Sequence, residues 1–532
     1  MHQPKVSREI GPLALMLTGL GSIIGSGWLF GAFRTAHLAG AGAVYAWLIG
    51  AVIITIIALA FSELGAMFPE SGGMVRYGYY SHGSLVGFIA GWANWIAIVS
   101  VIPVEAEASV QYMASWPYHW AHSLYAGSEL HPVGIALAAV LVVGYFLLNY
   151  WGVRLYVLTN GAITAFKLVV PAATGIALIA TGFHRENFAV GLHPGHAPLN
   201  IAAILAATAT SGIVFSFNGF QSPINLAGEA KNPGLNVPLG VFGSIFLATI
   251  IYVLLQVAFV GATPPALLAH GWAGVDFSSP FAQLAIALNL NWLALLLYAD
   301  AFVSPSGTGA TYTATTARMV FAMERSGVLP KIFGRIHPGS AAPRPAMWLN
   351  LVVSFIFLFC FRGWGSLAAV ISVATVISYL AGPVSVAALR RTAPELKRPL
   401  RTPALQFTAG LAFILATLLL YWARWPLTGE VLLLILIAAP LYIWAEVRAG
   451  WRDFGNHLRA ALWLVAYLPT LALASFLGSP QFGGIGVIPF GYDLGVVALI
   501  GLGFFVWGVR SGWRTPALEL HRTGQDEVEA LV

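Results

Sequence analysis

The sequence predicts an all-α polytopic membrane protein of about fourteen transmembrane helices, the first ten forming a five-plus-five inverted-repeat core and the last four added to it. Three observations predict this. Apolar residues make up 58 % of 532 residues and charged residues only 9 %, against about 25 % charged in a soluble chain. The apolar residues fall in runs long enough to cross a bilayer as helices, about 20 residues each. Two of those runs, the first and the sixth, are weakened at corresponding places.

The runs are 11–33, 41–66, 85–112, 132–150, 156–182, 200–223, 238–262, 286–322, 346–361, 364–389, 405–423, 428–447, 460–477 and 488–509. They are too long and too continuous for the strands of a barrel. The first starts too late, and runs too long, to be a cleaved leader, and Arg34 follows it directly, so it is read as a retained helix.

Basic residues orient the chain. With the N-terminus in the cytoplasm, 21 of the 26 Lys and Arg fall on the inner side, including Arg390, Arg391, Lys397, Arg398, Arg401 and Arg448, Arg452, Arg459. Arg34, Arg185, Arg362 and Arg424 fall outside, and Lys167 lies within a span. The net charge of +6 is therefore a topology signal and not a nucleic-acid surface. The expected division is a cytoplasmic N-terminus (1–10), a core (11–389, with blocks 11–182 and 200–389), extra membrane helices (405–509) and a cytoplasmic tail (510–532). Aromatic residues, at 13 %, suit the two membrane interfaces. The single cysteine, Cys360, permits no internal disulfide and no thiol metal site, and no cofactor or metal is expected.

The first run contains Gly19-Leu20-Gly21-Ser22-Ile23-Ile24-Gly25-Ser26-Gly27, a poor composition for an unbroken helix. It reads either as a close-packing face of small residues or as an unwound stretch at the bilayer midplane. Unwound, its free amides can hold a carboxylate beside a half-helix N-terminus, and its free carbonyls an ammonium group. The sixth run contains Phe215-Ser216-Phe217-Asn218-Gly219-Phe220-Gln221-Ser222-Pro223, where Asn218, Gly219 and Pro223 weaken a helix. Each break lies in the first run of a five-run block. Five is odd, so the second block is inverted relative to the first, and paired breaks in inverted repeats point to a transporter's binding site.

Four linked motifs extend this reading. Ile23-Ile24-Gly25-Ser26-Gly27 resembles the first-helix motif of the amino acid–polyamine–organocation permeases. Ser62-Glu63-Leu64 through Phe68-Pro69-Glu70-Ser71-Gly72-Gly73 resembles their second-helix exit. Gly228-Glu229-Ala230-Lys231-Asn232-Pro233 with Val237-Pro238 resembles the loop after their sixth helix. Arg318 with Ala322-Met323-Glu324-Arg325-Ser326-Gly327-Val328-Leu329-Pro330 resembles the end of their eighth. The match spans about 10–390, and among subfamilies it is most similar to the aspartate:proton symporters. The resemblance implies a LeuT-like core. It also implies that the Ser26 and Gly27 amides, within the Gly25 motif, bind a substrate carboxylate, and that the carbonyls of Ile23, Phe215 and Asn218 bind its amino group. Phe217 or Phe220 would be an aromatic gate beside Gly219. Phe215 meets the family's aromatic preference. Asn218 departs from a commonly apolar position, and the departure points to contact with a substrate side chain.

An ionised residue at the bilayer centre costs at least about 2.5–3.5 kcal/mol and needs a reason. Lys167 lies roughly 16 Å into its span at 1.5 Å per residue. It reads as a structural cation on backbone carbonyls or as a proton carrier, since a buried lysine readily loses its proton. In some sodium-independent members of the resembled family a lysine here replaces a sodium ion between helices one and eight. Asp300 is near mid-span in run eight, with Ser304 one turn on. It could pair with Lys167, relay protons, or bond to a neighbouring helix. In the resembled family, small hydroxyl residues at this depth line the cation site. Glu105 and Glu107 lie roughly 30 Å along their span. They read as outer vestibule, with at most one facing the bundle. Glu63 reads as an inner gate or loop salt bridge, and Glu229 and Lys231 as structural. Arg34 could attract an acidic side chain or be interfacial.

No His-Glu-x-x-His motif and no phosphate loop is present, which sets an enzyme aside. The expected function is secondary active amino acid transport in the cell membrane, proton-coupled and sodium-independent, of aspartate or another acidic amino acid. An exchanger or a permease for neutral amino acids or polyamines is the alternative, and a transporter-like receptor or channel a more remote one. Arg34, Asn218 and Gln221 are the candidates for reading an acidic side chain.

Overall fold

The computed structural model describes residues 9–70, 73–151, 153–325, 327–337 and 342–523. Ser71, Gly72 and Ser326 of the motifs, and residues 1–8 and 524–532 of the two expected cytoplasmic ends, lie outside the described residues.

The first span is two helices, α1 (Pro12–Ile23) and α2 (Gly27–Ala39), followed by α3 (Ala43–Met67) and the short α4 (Gly73–His82). The third span is α5 (Ser84–Val99) continued by α6 (Val101–Met113). Then come α7 (Pro132–Trp151) and α8 (Val153–Thr181). The sixth span is three short pieces, α9 (Ile201–Thr210), α10 (Ile213–Ser216) and α11 (Ser222–Asn225). It is followed by α12 (Pro233–Ala262), α13 (Pro280–Ala287), α14 (Asn291–Arg325), α15 (Arg344–Cys360), α16 (Trp364–Tyr379) and α17 (Ala381–Thr392). The remaining helices are α18 (Leu405–Trp422), α19 (Leu427–Leu436), α20 (Ala439–Arg448), α21 (Phe454–Leu477), α22 (Tyr492–Ser511) and α23 (Pro516–Thr523). The sheet among the described residues is one hairpin, Tyr125–Ala126 with Glu129–Leu130. The protein is a nearly all-helical, polytopic membrane protein.

Among the described residues, ten helical stretches are long and apolar enough to cross a membrane, one of which, Gly27–Met67, joins α2 to α3. The other expected spans fall short for visible reasons. Spans one and six are broken, span nine has 17 residues, and α14 carries a run of Gly, Ser and Thr on its inward side. Span eight also starts later than expected. α13 ends at Ala287 and Asn289 adopts φ +60° just beyond it, so 288–290 is the turn and the long helix begins at Asn291.

The spans differ in burial, which separates centre from rim. The α16–α17 span is fully enclosed and the α5–α6 span 83 % buried, whereas α22 is only 28 % buried. Central spans can carry polar groups on every face, because no face meets lipid. The last helices pack on the core: α18 against α3, α9 and α17, α22 against α18 and α17, and α21 against α22 and α5.

The segment before α1 and the segment after α11 are tied together. The Ile10 N–H donates to the Glu229 carbonyl and the Lys231 N–H to the Ile10 carbonyl, both at 3.0 Å. Glu63, fully buried at the end of α3, accepts from Arg390 Nε (2.9 Å), Arg390 Nη2 (2.7 Å) and the Thr402 N–H (2.8 Å). That carboxylate joins α3, α17 and the 396–402 segment, so Glu63 is a loop salt bridge. Glu63→Gln is expected to destabilise the detergent-purified protein by about 3 kcal/mol, low in the range for a broken buried pair. Arg390, 30 % exposed, keeps some water when its partner goes. An unchanged denaturation midpoint would show that the cluster contributes nothing.

Candidate functional site

The glycine-rich stretch is unwound. α1 stops at Ile23, Ile24 is extended (φ −84°, ψ 94°), and α2 restarts at Gly27. The C-terminal carbonyls of α1 and the N-terminal amides of α2 therefore meet at one point inside the bundle. Such a point favours positive charge on the first side and negative charge on the second.

Span six breaks opposite. Gly212 has φ +95° and Gly219 φ +127°, conformations that favour glycine. A Cβ at Gly219 would lie 2.6 Å from the Ser22 carbonyl carbon and 2.7 Å from the Ile23 nitrogen. Only glycine lets these two backbones touch. Ser222 Oγ donates to Ser22 Oγ at 2.9 Å alongside.

A carboxylate sits on the amide end of the first break. The Ser26 N–H donates to Glu105 Oε2 at 2.9 Å. Glu105 comes from α6 and is fully buried, and its Oε1 has no hydrogen-bond partner among the described residues. A Cβ at Gly25 would collide with that oxygen and lie 3.1 Å from Thr308 Oγ1. Glycine at 25 therefore admits the carboxylate. Ser26 Oγ accepts from Trp364 Nε1 at 2.8 Å. The Trp364 ring stacks on Phe30 (4.9 Å between centroids) and meets Phe215 edge-on (5.7 Å). These three rings close over the α2 side of the break.

The carbonyl end has its own partner. The Tyr252 hydroxyl lies between the Ile23 carbonyl (3.1 Å) and the Ser216 carbonyl (2.9 Å), able to donate to either. The Phe215 carbonyl accepts from the Asn218 N–H at 2.9 Å. Phe217 packs against Trp47 and Tyr252, and Phe220 against Tyr379. Asn218 Oδ1 accepts from Gln221 Nε2 at 2.6 Å, and Gln221 Oε1 accepts the Gly219 N–H at 3.0 Å. Gly27 is held against Ser216, whose buried hydroxyl has no partner among the described residues.

Lys167 reaches in from α8. Its Nζ donates to the Gly21 carbonyl at 3.1 Å and to Thr308 Oγ1 at 2.6 Å. One ammonium group thus joins α8, α1 and α14. Asp300 does not pair with it. Asp300 Oδ1 accepts from Ser304 Oγ at 2.7 Å, and eight residues of helix put Asp300 about 12 Å along α14 from Thr308.

Two expectations need correction. Glu105 and Glu107 were both expected near the outer end of span three, with at most one facing the bundle. Both are fully buried, and neither oxygen of Glu107 has a partner among the described residues. Span three is central, so opposite faces are both interior, and its 30 residues run about 45 Å, far more than the hydrocarbon core is thick. Distance along such a span does not measure depth. Sequence reasoning also missed Trp364, Tyr252 and Thr308. Trp364 lies between Gly363 and Gly365, and Thr308 between Gly307 and Gly309. Small neighbours that clear room for one side chain were the available signal.

The chain matches other proteins along most of its length. Residues 10–477 match the family model described as amino acid permease. The glutamate/serine transporter AimA of Bacillus subtilis is 58 % identical over 518 residues, covering 97 % of this chain and 96 % of the relative. The aspartate-proton symporter of the same organism is 36 % identical over 523 residues, covering 97 % and 99 %. Its branched-chain amino acid permease BcaP is 26 % identical over 448 residues, covering 83 % and 93 %.

Proposed function

The chain belongs to the amino acid permease family and transports amino acids, and from that footing we propose that it is a secondary active, proton-coupled and sodium-independent carrier of acidic amino acids. The observation that carries this reading is the Glu105 carboxylate on the Ser26 amide. In this reading the substrate's α-carboxylate takes that place, and its ammonium group turns to the carbonyls of Ile23, Phe215 and Asn218. Two carboxylates cannot both stay anionic at one buried site. Glu105 therefore leaves the amide carrying a proton, and one proton travels with each amino acid.

Lys167 is the fixed cation of this scheme. It donates to a carbonyl and a hydroxyl, the oxygen types that would hold a sodium ion, and its charge repels one. Asp300 and Ser304 lie outward of Thr308 on α14 and serve as a proton relay. Phe30, Phe215 and Trp364 are the outer gate, and Phe220 with Tyr379 closes the inner side. The blocks 11–182 and 200–389 act as inverted halves of an alternating-access core in the cell membrane, with both termini in the cytoplasm, as the basic loops indicate.

Glutamate, aspartate and serine are the first substrates to test, since the relatives' names supply them. Serine supports a second reading, exchange of neutral amino acids, because the Ser26 contact needs only an α-carboxylate. A polyamine lacks the carboxylate that this contact selects.

The test is uptake of labelled glutamate, aspartate and serine into proteoliposomes under an inward proton gradient, with and without sodium. Accumulation of an acidic amino acid that follows the proton gradient and ignores sodium is expected. Sodium-dependent accumulation, or exchange alone, would overturn the coupling.

A further inference from the structure

We propose that Arg34 is the specificity residue of an outer anion subsite, binding the side-chain carboxylate of an acidic amino acid above the Phe30–Trp364 gate. This rests on the acidic-substrate reading above.

Gly27, Phe30 and Arg34 follow the i, i+3, i+7 spacing, so they share one stripe of α2. Gly27 starts the helix at the carboxylate site, and Phe30 is part of the gate. Arg34 stands two turns, about 10 Å, further out on the same stripe. Side chains on a helix lean toward its N-terminus, so the guanidinium leans back toward the gate.

The position of the guanidinium separates this from an ordinary interfacial arginine. It lies directly on the backbone of Gly365, where any Cβ would collide with its central carbon and both terminal nitrogens. Gly365 follows Trp364, the gate residue that donates to Ser26. The charge is therefore turned inward against α16, and not outward to lipid headgroups.

Among the described residues the Arg34 guanidinium has no acidic partner. Among the described residues no hydrogen bond or ion pair engages it, and the nearby acid, Asp276, is an exposed loop residue. Tyr125 and His37 are its other polar neighbours. A half-buried guanidinium held flat on a glycine, with its donors unengaged, fits a carboxylate in the bidentate manner. A lysine would present one point charge and lose that geometry.

The test is initial-rate uptake of glutamate and of serine by proteoliposomes carrying wild type, Arg34→Gln, Arg34→Lys or Gly365→Ala. The readout is the ratio of kcat/KM for glutamate over serine. Arg34→Gln is expected to lower this ratio at least about tenfold, the loss expected when a charged hydrogen-bonding partner is removed. Gly365→Ala, which displaces the guanidinium while keeping it, is expected to lower the ratio in the same direction. Arg34→Lys is expected to fall between wild type and Arg34→Gln. An unchanged ratio in Arg34→Gln, whatever happens to the absolute rates, overturns the assignment. A wild type that carries serine and no acidic amino acid overturns the acidic reading and the subsite together. A wild type that carries glutamate with an unchanged Arg34→Gln ratio overturns the subsite alone.

Discussion

Glutamine in place of Glu105 is expected to abolish uphill uptake driven by a proton gradient while exchange of labelled for unlabelled substrate persists. The substitution keeps the shape and leaves a carbonyl oxygen to accept the Ser26 N–H, a bond that spans 2.9 Å in the native protein. It removes the charge and the proton. A hydrogen bond to a charged group contributes about 1.5–3 kcal/mol and a neutral one about 0.5–1.5. The glutamine is therefore a weaker rival for the amide by about 1 kcal/mol, and substrate affinity should rise severalfold. That affinity should also lose its pH dependence. Counterflow and gradient-driven uptake on the same vesicles separate the two effects. Gradient-driven accumulation at the wild-type level would rule out Glu105 as the coupling group.

Lys167→Ala should cost more. Its ammonium is the shared donor for the Gly21 carbonyl and Thr308 Oγ1, and it is 3 % exposed. Removing it leaves two buried acceptors without their partner, at about 1–3 kcal/mol each. It also unfastens α1 from α8 and α14 at the turn before the break and strips Glu105 of the positive charge in its surroundings. Both transport modes are expected to fall at least about tenfold, since 1.4 kcal/mol is a factor of ten. Elution as a monodisperse peak would show that the variant folds. Accumulation at the wild-type rate by such a protein would sink the role given to Lys167.

The pattern of legibility follows from physics. Apolar runs are required by lipid, so the membrane helices could be read directly. The two breaks could also be read, because glycine, asparagine and proline act on the backbone locally. Gly219 shows how far this goes: its composition marked a break, and the structure adds that a second backbone touches it. What could not be read is which spans are central. Lys167 was singled out because mid-span charge is costly wherever it falls. Glu105 was assigned to the rim because distance along a long span was taken for depth. Trp364 and Tyr252 look like interface or packing residues in sequence. Their indole N–H and hydroxyl become site groups only when α16 and α12 are brought against the first break. Asp300 was legible as a mid-span acid with Ser304 one turn on, and that serine is its hydrogen-bond partner; of the alternatives offered, pairing with Lys167 fails on two turns of helix.

The central claim is that a substrate carboxylate replaces that of Glu105 at the Ser26 amide and that the displaced group takes up a proton. The most direct measurement is calorimetry of glutamate binding to the purified protein in two buffers of different ionisation enthalpy, which counts protons taken up per ligand. The account predicts about one proton per glutamate, by the rule that two carboxylates cannot share such a site as anions, and none in Glu105→Gln. Glutamate binding with no proton uptake by the wild-type protein would contradict it.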